Sequence, residues 1–346
     1  MLPLRHFSES DQIAHLAMYE TKIRSELESL CDTKDFQYED TLDYLDYIRK
    51  IDVKDILVGD VSTLQSIVAS LNGKLPDGKF YRKKKGDQSP REQHFTEINK
   101  RISKIVDYDG FMRMAPKDRK SWCGRYMASK VLRNVRYCPY CNAEPIYAFE
   151  YNKKGALKSV RTAFDHYFTR GRYPLLGLAL YNLIPSCWRC NSSFKGDNVP
   201  AKNMAHPYVD DVDAEMRFDV IFRNSQAFNF CHAEDIEGVL FHASRKGACP
   251  KGEAWEQMFN ISATYTHLYV DDAALTINRA LHYPQTYVEE LTNHLRKLGL
   301  PVGYINNILY GSSLSKPDIP LTRFGKMIKD LVSVYQCKVS NLTPSA

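Results

Sequence analysis

Two CxxC pairs, Cys138-Pro-Tyr-Cys141 and Cys187-Trp-Arg-Cys190, bracket a stretch that also carries Phe164-Asp165-His166-Tyr167 and Asn182. Asn191 follows the second pair directly. Each CxxC loop brings two thiolates to one side of a tight turn, at the ~2.3 Å bond length that Zn2+ takes, and two such loops close a tetrahedron of sulfur. Pro139 stiffens the first loop, and Asn142 follows where a turn residue is expected. The separation of 46 residues between Cys141 and Cys187 exceeds that of a simple zinc ribbon, so further structure must be built between the knuckles. A redox role for either pair leaves the other unexplained, and structural zinc accounts for both.

A different chemistry lies between the knuckles. A strand ending in Asp165-His166 sends neighbouring side chains to opposite faces. Asp165 offers a hard oxygen suited to Mg2+ or Mn2+. His166, with an ordinary pKa of about 6.5, can accept a proton near neutrality. Hydrolysis of a phosphodiester needs these two roles, a metal for the developing charge and a base for water. The Asn182 amide can fix the loop or orient the imidazole. Asn191 begins a helix through Ser192-Ser193-Phe194-Lys195, which brings a second ligating oxygen opposite Asp165 and sets Lys195 to meet a phosphate. Arg170 and Arg172 flank Gly171 beyond the strand, where a loop lining the cleft would let them touch phosphate. An Asp-His pair by itself is ordinarily structural, and an Asn after CxxC is ordinarily a turn former. The ordered set is what is specific.

That set resembles the HNH endonuclease superfamily, the zinc-containing ββα-metal nucleases, over about Tyr137 to Asp197. The resemblance implies that Cys138, Cys141, Cys187 and Cys190 hold a structural Zn2+ and that His166 is the general base. It further implies that Asp165 and Asn191 hold one catalytic Mg2+ or Mn2+, while Asn182 positions the base or its loop. Asn191 stands where the oldest form of the motif has His, which favours Mg2+ over softer metals. The phrase from Phe164 to Phe168, through Tyr173-Pro174-Leu175-Leu176, to Asn182-Leu183-Ile184-Pro185-Ser186-Cys187 is similar to HNH proteins of bacterial anti-phage defence loci, such as the Septu-type component that works beside an ATPase. This implies a DNA substrate and a partner ATPase. Two other readings stand beside it: a non-catalytic, zinc-stabilised nucleic-acid-binding or scaffold protein, and an HNH nuclease acting on RNA.

The elements that must position these residues are mostly helical. Apolar spacing predicts an amphipathic helix over about Glu9 to Leu30, capped by Ser8 or Ser10, and further helices over Tyr38 to Val58 and Val61 to Leu71. Asn72 to Gly78 reads as a turn, and Phe80 to Gln93, without apolar periodicity, as a mobile loop. Glu97 to Val106 and Pro116 to Arg133 read as helices. Tyr147 to Tyr151 and Ser159 to Tyr167 alternate as two strands joined by a hairpin turn at Asn152-Lys153-Lys154-Gly155. Beyond Asn191 the pattern is helix and loop: Ala254 to Tyr269, Ala273 to Leu298 and Thr322 to Gln336. The expected organisation is a helical region 1–72, a basic linker 73–95, a helical lead-in 96–136, an HNH module 137–200 and a helical region 201–346. The fold class is α+β, a small ββα-metal module embedded in a mostly α-helical chain. Trp188 and Phe194 are expected to pack around the zinc knot, and His206 to pack or cap.

Composition bounds this reading. An apolar content of 44% is ample for a core, and the net charge of +6 is slight for 346 residues. Its distribution says more. Between Gly73 and Lys104 the chain carries Lys74, Lys79, Arg82, Lys83, Lys84, Lys85, Arg91, Lys100, Arg101 and Lys104 against four carboxylates, an excess that attracts phosphate backbones. Nine cysteines, an odd number with five scattered, argue against a disulfide scaffold. No signal core and no run of about 18 apolar residues is present, so a cytoplasmic protein is expected. The absence of GxxxxGK[ST] argues against ATP hydrolysis by this chain.

Overall fold

A computed structural model describes residues 3–36, 38–113, 135–201, 203–223, 230–244, 249–301 and 303–340. Its helices start where short polar side chains satisfy free N–H groups. At α1 (Glu9–Cys31) the Ser8 hydroxyl accepts from Asp11 N and the Asp11 carboxylate accepts from Ser8 N, a reciprocal cap. The helix buries His15, Tyr19, Ile23, Leu27 and Leu30, a stripe at helical spacing. That stripe packs on α2 (Glu39–Lys50), α3 (Val53–Val58) and α5 (Pro90–Val106). Asp52 caps α3 and Asp60 caps α4 (Val61–Asn72), each by accepting a backbone N–H.

The segment expected to be a mobile linker is ordered. Phe80–Arg82 and Lys85–Asp87 form two 3-10 turns, and α5 already begins at Pro90, capped by Ser89 with Glu92 closing the box. Phe80 is fully buried against Tyr81 and Phe95, and Gln88 Nε2 donates to the Phe80 carbonyl at 2.8 Å. One aromatic anchor holds the segment, so no periodic pattern was there to be read. The start signal Ser89-Pro90-Arg91-Glu92 was present and overlooked. A short α6 (Tyr108–Arg113) follows Asp107, whose φ of 50° makes the bend. The helix expected over Pro116 to Arg133 lies outside the described residues.

β1 (Ala148–Lys153) and β2 (Ala156–Arg161) form the expected hairpin. Its two turn residues, Lys154 and Gly155, both have positive φ, which gives the mirror-image turn that matches strand twist. The run expected as a single strand to Tyr167 divides at Thr162. β3 (Ala163–His166) leaves the hairpin and pairs antiparallel with β4 (Leu183–Ser186), His166 opposite Leu183. Thr162 Oγ1 marks the change of partner by donating to the Ser186 carbonyl at 3.0 Å. A π-helical segment, Arg189–Lys195, follows β4.

The C-terminal region holds a third antiparallel pair that the helix-and-loop expectation missed, β5 (Met216–Phe222) and β6 (Ile236–Ala243), preceded by α7 (Val212–Glu215). Met216, Phe218 and Val220 are buried, the period-two signal of a half-buried strand. The helix expected over Ala254 to Tyr269 is broken at Asn260, φ 45°, into α8 (Pro250–Phe259) and α9 (Ile261–Leu268). The one expected to Leu298 is broken at Tyr283-Pro284 into α10 (Val270–His282) and α11 (Gln285–Lys297). Then come α12 (Gly303–Tyr310) and α13 (Gly325–Ser340). α13 packs on α10 and β5, and α9 on β6. The described residues form a mixed fold of helices with three two-stranded sheets. Among the described residues no helix is long and apolar enough to cross a membrane.

Candidate active site and metal centre

The four cysteines converge. Their Sγ atoms lie within 4.8 Å of one another, all buried, with Cys141 and Cys187 4.0 Å apart. Bonds of ~2.3 Å to a tetrahedral ion would space sulfurs about 3.8 Å apart, so the cluster is positioned to bind one metal ion. The first knuckle is a tight turn in which Asn142 N donates to the Cys138 carbonyl at 2.7 Å and Cys138 N to Glu144 O at 2.8 Å. In the second, Cys190 N points at Cys187 Sγ, 3.4 Å away. Trp188 does not pack around the cluster as expected: it is 72% exposed, because its place inside the loop turns it outward. Phe194 does pack against the core.

Tyr140, inside the first CxxC, is fully buried between Trp255 and Phe259, and its hydroxyl donates to Asp165 Oδ2 at 2.6 Å. The cysteine cluster thereby fixes the first residue of the second site.

That site is a cleft of about 720 Å³ between β3, the Arg189–Lys195 segment and the α5–α6 junction. Asp165, His166 and Asn191 all line it. Lys104, Asp107, Tyr108, Asp109 and Asp197 line it as well. Sequence reasoning missed Asp107, Tyr108, Asp109 and Asp197, since nothing in their local sequence sets them apart, and read Lys104 only as part of the basic run.

His166 Nε2 lies 3.0 Å from the Gly177 carbonyl. A carbonyl can only accept, so Nε2 carries the proton and Nδ1 is the ring's acceptor. The Tyr108 ring meets the imidazole edge-on at 4.4 Å. Burial lowers the His166 pKa from the ordinary 6.5 to about 3, so the ring is neutral at pH 7 but a weaker proton acceptor than the sequence alone implies.

Asp165 is 2% exposed. Its Oδ1 accepts from Lys195 Nζ at 2.9 Å, and Lys195 also donates to the His166 carbonyl at 2.6 Å. Burial raises the Asp165 pKa, opposed by the Lys195 charge and the Tyr140 hydrogen bond.

This geometry corrects two expectations. Lys195 is 0% exposed and spent on Asp165, so it does not face a phosphate; the π-helical turn carries its stem inward beneath β3. Arg172 is also buried, donating to the Pro76 and Gly78 carbonyls and to Asn72 Oδ1, and so pins the 72–78 turn instead of meeting substrate. Arg170 does line the cleft, with Nη1 3.0 Å from Asp109 and its guanidinium over the Tyr108 ring. Asn182, fully buried, accepts from Phe168 N at 2.6 Å and donates to the Phe168 and Leu176 carbonyls. It fixes the loop that carries Gly177 back to His166, one of the two roles its amide could take.

In the cleft the oxygen donors on hand are Asp165 and Asn191, while among the described residues the four cysteines are the one group of three or more His, Cys, Asp or Glu side chains placed to share a metal ion. Each Asp165 oxygen has one hydrogen-bond donor and keeps a further lone pair. The Asn191 amide shares the cleft, and Asp107, Asp109 and Asp197 make its surroundings acidic. His206, with Cys231-His232 and His242-Cys249, forms no further cluster among the described residues; His206 is packed between Tyr167 and Tyr208. Neither a protein-family model, nor a curated protein, nor a solved structure gives a significant match to this chain.

Proposed function

We propose that this chain is a metal-dependent endonuclease of the HNH type, hydrolysing phosphodiester bonds of DNA, with a structural Zn2+ on Cys138, Cys141, Cys187 and Cys190. The observation that carries the reading is the convergence of Asp165, His166 and Asn191 on one cleft, with the His166 proton held on Nε2 by Gly177. His166 Nδ1 takes a proton from the attacking water as the general base. Asp165 and Asn191 would hold Mg2+ or Mn2+, which would supply charge stabilisation at the leaving 3′ oxygen. Asn182 keeps the His166 ring oriented through the loop it pins. Products carry 5′-phosphates.

Supercoiled plasmid incubated with the chain and Mg2+ or Mn2+ is the test. Nicking or linearisation that disappears in His166→Ala, with zinc content unchanged, is expected. The resemblance to defence-locus proteins adds a partner ATPase to the reading, so the assay is repeated with the protein encoded beside the gene. Silence in both sinks the nuclease reading.

One observation favours a second reading, a zinc-stabilised nucleic-acid-binding protein without catalysis: both Asp165 oxygens already have donors in Lys195 and Tyr140. Under it the chain binds zinc and no second, exchangeable cation, which metal titration followed by elemental analysis distinguishes.

A further inference from the structure

The basic run between Gly73 and Lys104 has no part in the chemistry above, and the structure sorts its charges into two groups. Some are spent internally. Arg82 pairs with Asp197 at 2.6 Å and Lys79 donates to Asn198, which together dock the 79–82 turn on the Arg189–Lys195 side of the cleft. Lys83 pairs with Glu92, and Arg101 with Asp35 and Glu97 while lying over the Phe36 ring.

Of the rest, Lys85 and Lys100 face a second groove of about 450 Å³ between α5 and the two 3-10 turns. Four cations line it, Lys83, Lys85, Lys100 and Arg101, against two carboxylates, Asp35 and Glu97. Lys85 and Lys100 are exposed and have no carboxylate partner among the described residues. The groove adjoins the catalytic cleft. Tyr81 lines it on one side, and on the other its hydroxyl donates to the Asp197 carbonyl while its ring closes against Gly171, both residues of the cleft wall. A Cβ on Gly171 would come within 2.7 Å of that ring, so Tyr81 packed on Gly171 separates the two sites. Lys100 in the groove and Lys104 in the cleft sit one turn apart on α5, about 6 Å along its axis.

We infer that this groove binds the phosphodiester backbone of the DNA strand on one side of the cut, with Lys104, Lys100 and Lys85 meeting successive phosphates. The inference rests on the nuclease reading for its substrate. The two sites divide by charge. Three of the cleft's four carboxylates are already paired, Asp109 with Arg170, Asp165 with Lys195 and Asp197 with Arg82, whereas the groove keeps Lys85 and Lys100 without a carboxylate partner among the described residues, which suits phosphate. Lysines that act as point charges on a flexible stem give affinity without sequence information, so the groove positions the strand and does not select it.

The test uses the full chain and its Lys85→Gln/Lys100→Gln variant, neither residue being part of the catalytic set. Duplex DNA binding is measured with Ca2+ in place of Mg2+ across a salt series, alongside plasmid cleavage and hydrolysis of bis(p-nitrophenyl) phosphate, a diester small enough to occupy the cleft alone. The variant should bind roughly tenfold more weakly, with the slope of log K against log salt reduced by about 1.8 for two lost phosphate contacts. KM for plasmid should rise while kcat and turnover of the small diester hold. Unchanged affinity and slope overturn the groove, whatever the cleavage result. A loss of binding in the variant of a chain that cuts nothing supports the groove and defeats the nuclease reading separately. A loss seen with single-stranded RNA and not with DNA overturns the assignment of the strand.

Discussion

At Asp165 two large effects oppose each other. Burial disfavours its charge, and Lys195, itself wholly buried, restores it at 2.9 Å. Such a pair adds little net stability when whole but is costly to break, because one charge is then left uncompensated. Lys195→Met should therefore lose about 3–5 kcal/mol in urea unfolding. The Lys195→Met/Asp165→Asn double variant should lose less than the single one, an inequality that would fail if Lys195 contributed only packing. Two histidines away from the cleft make a pH prediction. His15 donates from Nε2 to the Leu178 carbonyl at 2.8 Å, so Nε2 is the protonated nitrogen. His206 accepts from Tyr208 N at Nδ1. Burial lowers the pKa of each from 6.5 to about 3. The unfolded chain then takes up protons below pH 6.5 that the folded one refuses down to about 3. Their contribution is complete above pH 6.5 and is lost as pH falls toward 3, at about 1.4 kcal/mol per pH unit per histidine. Stability measured at pH 7, 6 and 5 should fall along that slope, and His206→Asn should flatten it by one histidine's share.

At the scale of elements, the cysteine cluster does for β3 what a larger core would otherwise have to do. β3 and β4 are four residues each, too short to hold a register alone. The first knuckle reaches β3 through Tyr140 and Asp165; the second follows β4 and opens the segment that returns Lys195 to the same carboxylate. One zinc per chain by elemental analysis is expected. Its removal by a chelator, or Cys190→Ser, should lower the melting temperature and raise proteolysis between residues 163 and 195 before the N-terminal helices are cut. The cap at Ser8 is legible in the sequence, because a cap is a local signal, whereas α5 starts at Pro90 behind its Ser89 cap, seven residues before the Glu97 start expected for it. The split at Thr162 is not legible. Alternation continues through Thr162 unchanged, and only the arrival of Ser186 decides where the chain changes partner.

Across the whole molecule the cleft is made by elements far apart in sequence. α5 and α6 line it together with β3 and its following segment, so residues of 96–136 and of 137–200 meet in one cleft. The C-terminal region is fastened to the same unit at Asn142. Held at φ 55°, Asn142 donates to the Ile319 and Thr322 carbonyls and accepts from Lys326 N. Behind it Lys326, Asp213 and Asp330 form a buried ion network under α13. Asn142→Ala removes those bonds and leaves a Cβ residue in the left-handed region. It should cost about 2–4 kcal/mol and expose α13 to protease first.

What the sequence determined was the list of reactive parts and their order: two CxxC pairs, Asp165-His166, Asn182 and Asn191. Those signals are local spacings, and spacing survives in one dimension. Tertiary structure alone decided which charges were available. Nothing in the sequence separates Lys195 and Arg172, which are buried and spent, from Arg170, which lines the cleft paired with Asp109, or from Lys85 and Lys100, which are exposed. A charged side chain's role depends on what desolvates it and which partner lies within about 3 Å, and both come from residues tens to more than a hundred positions away.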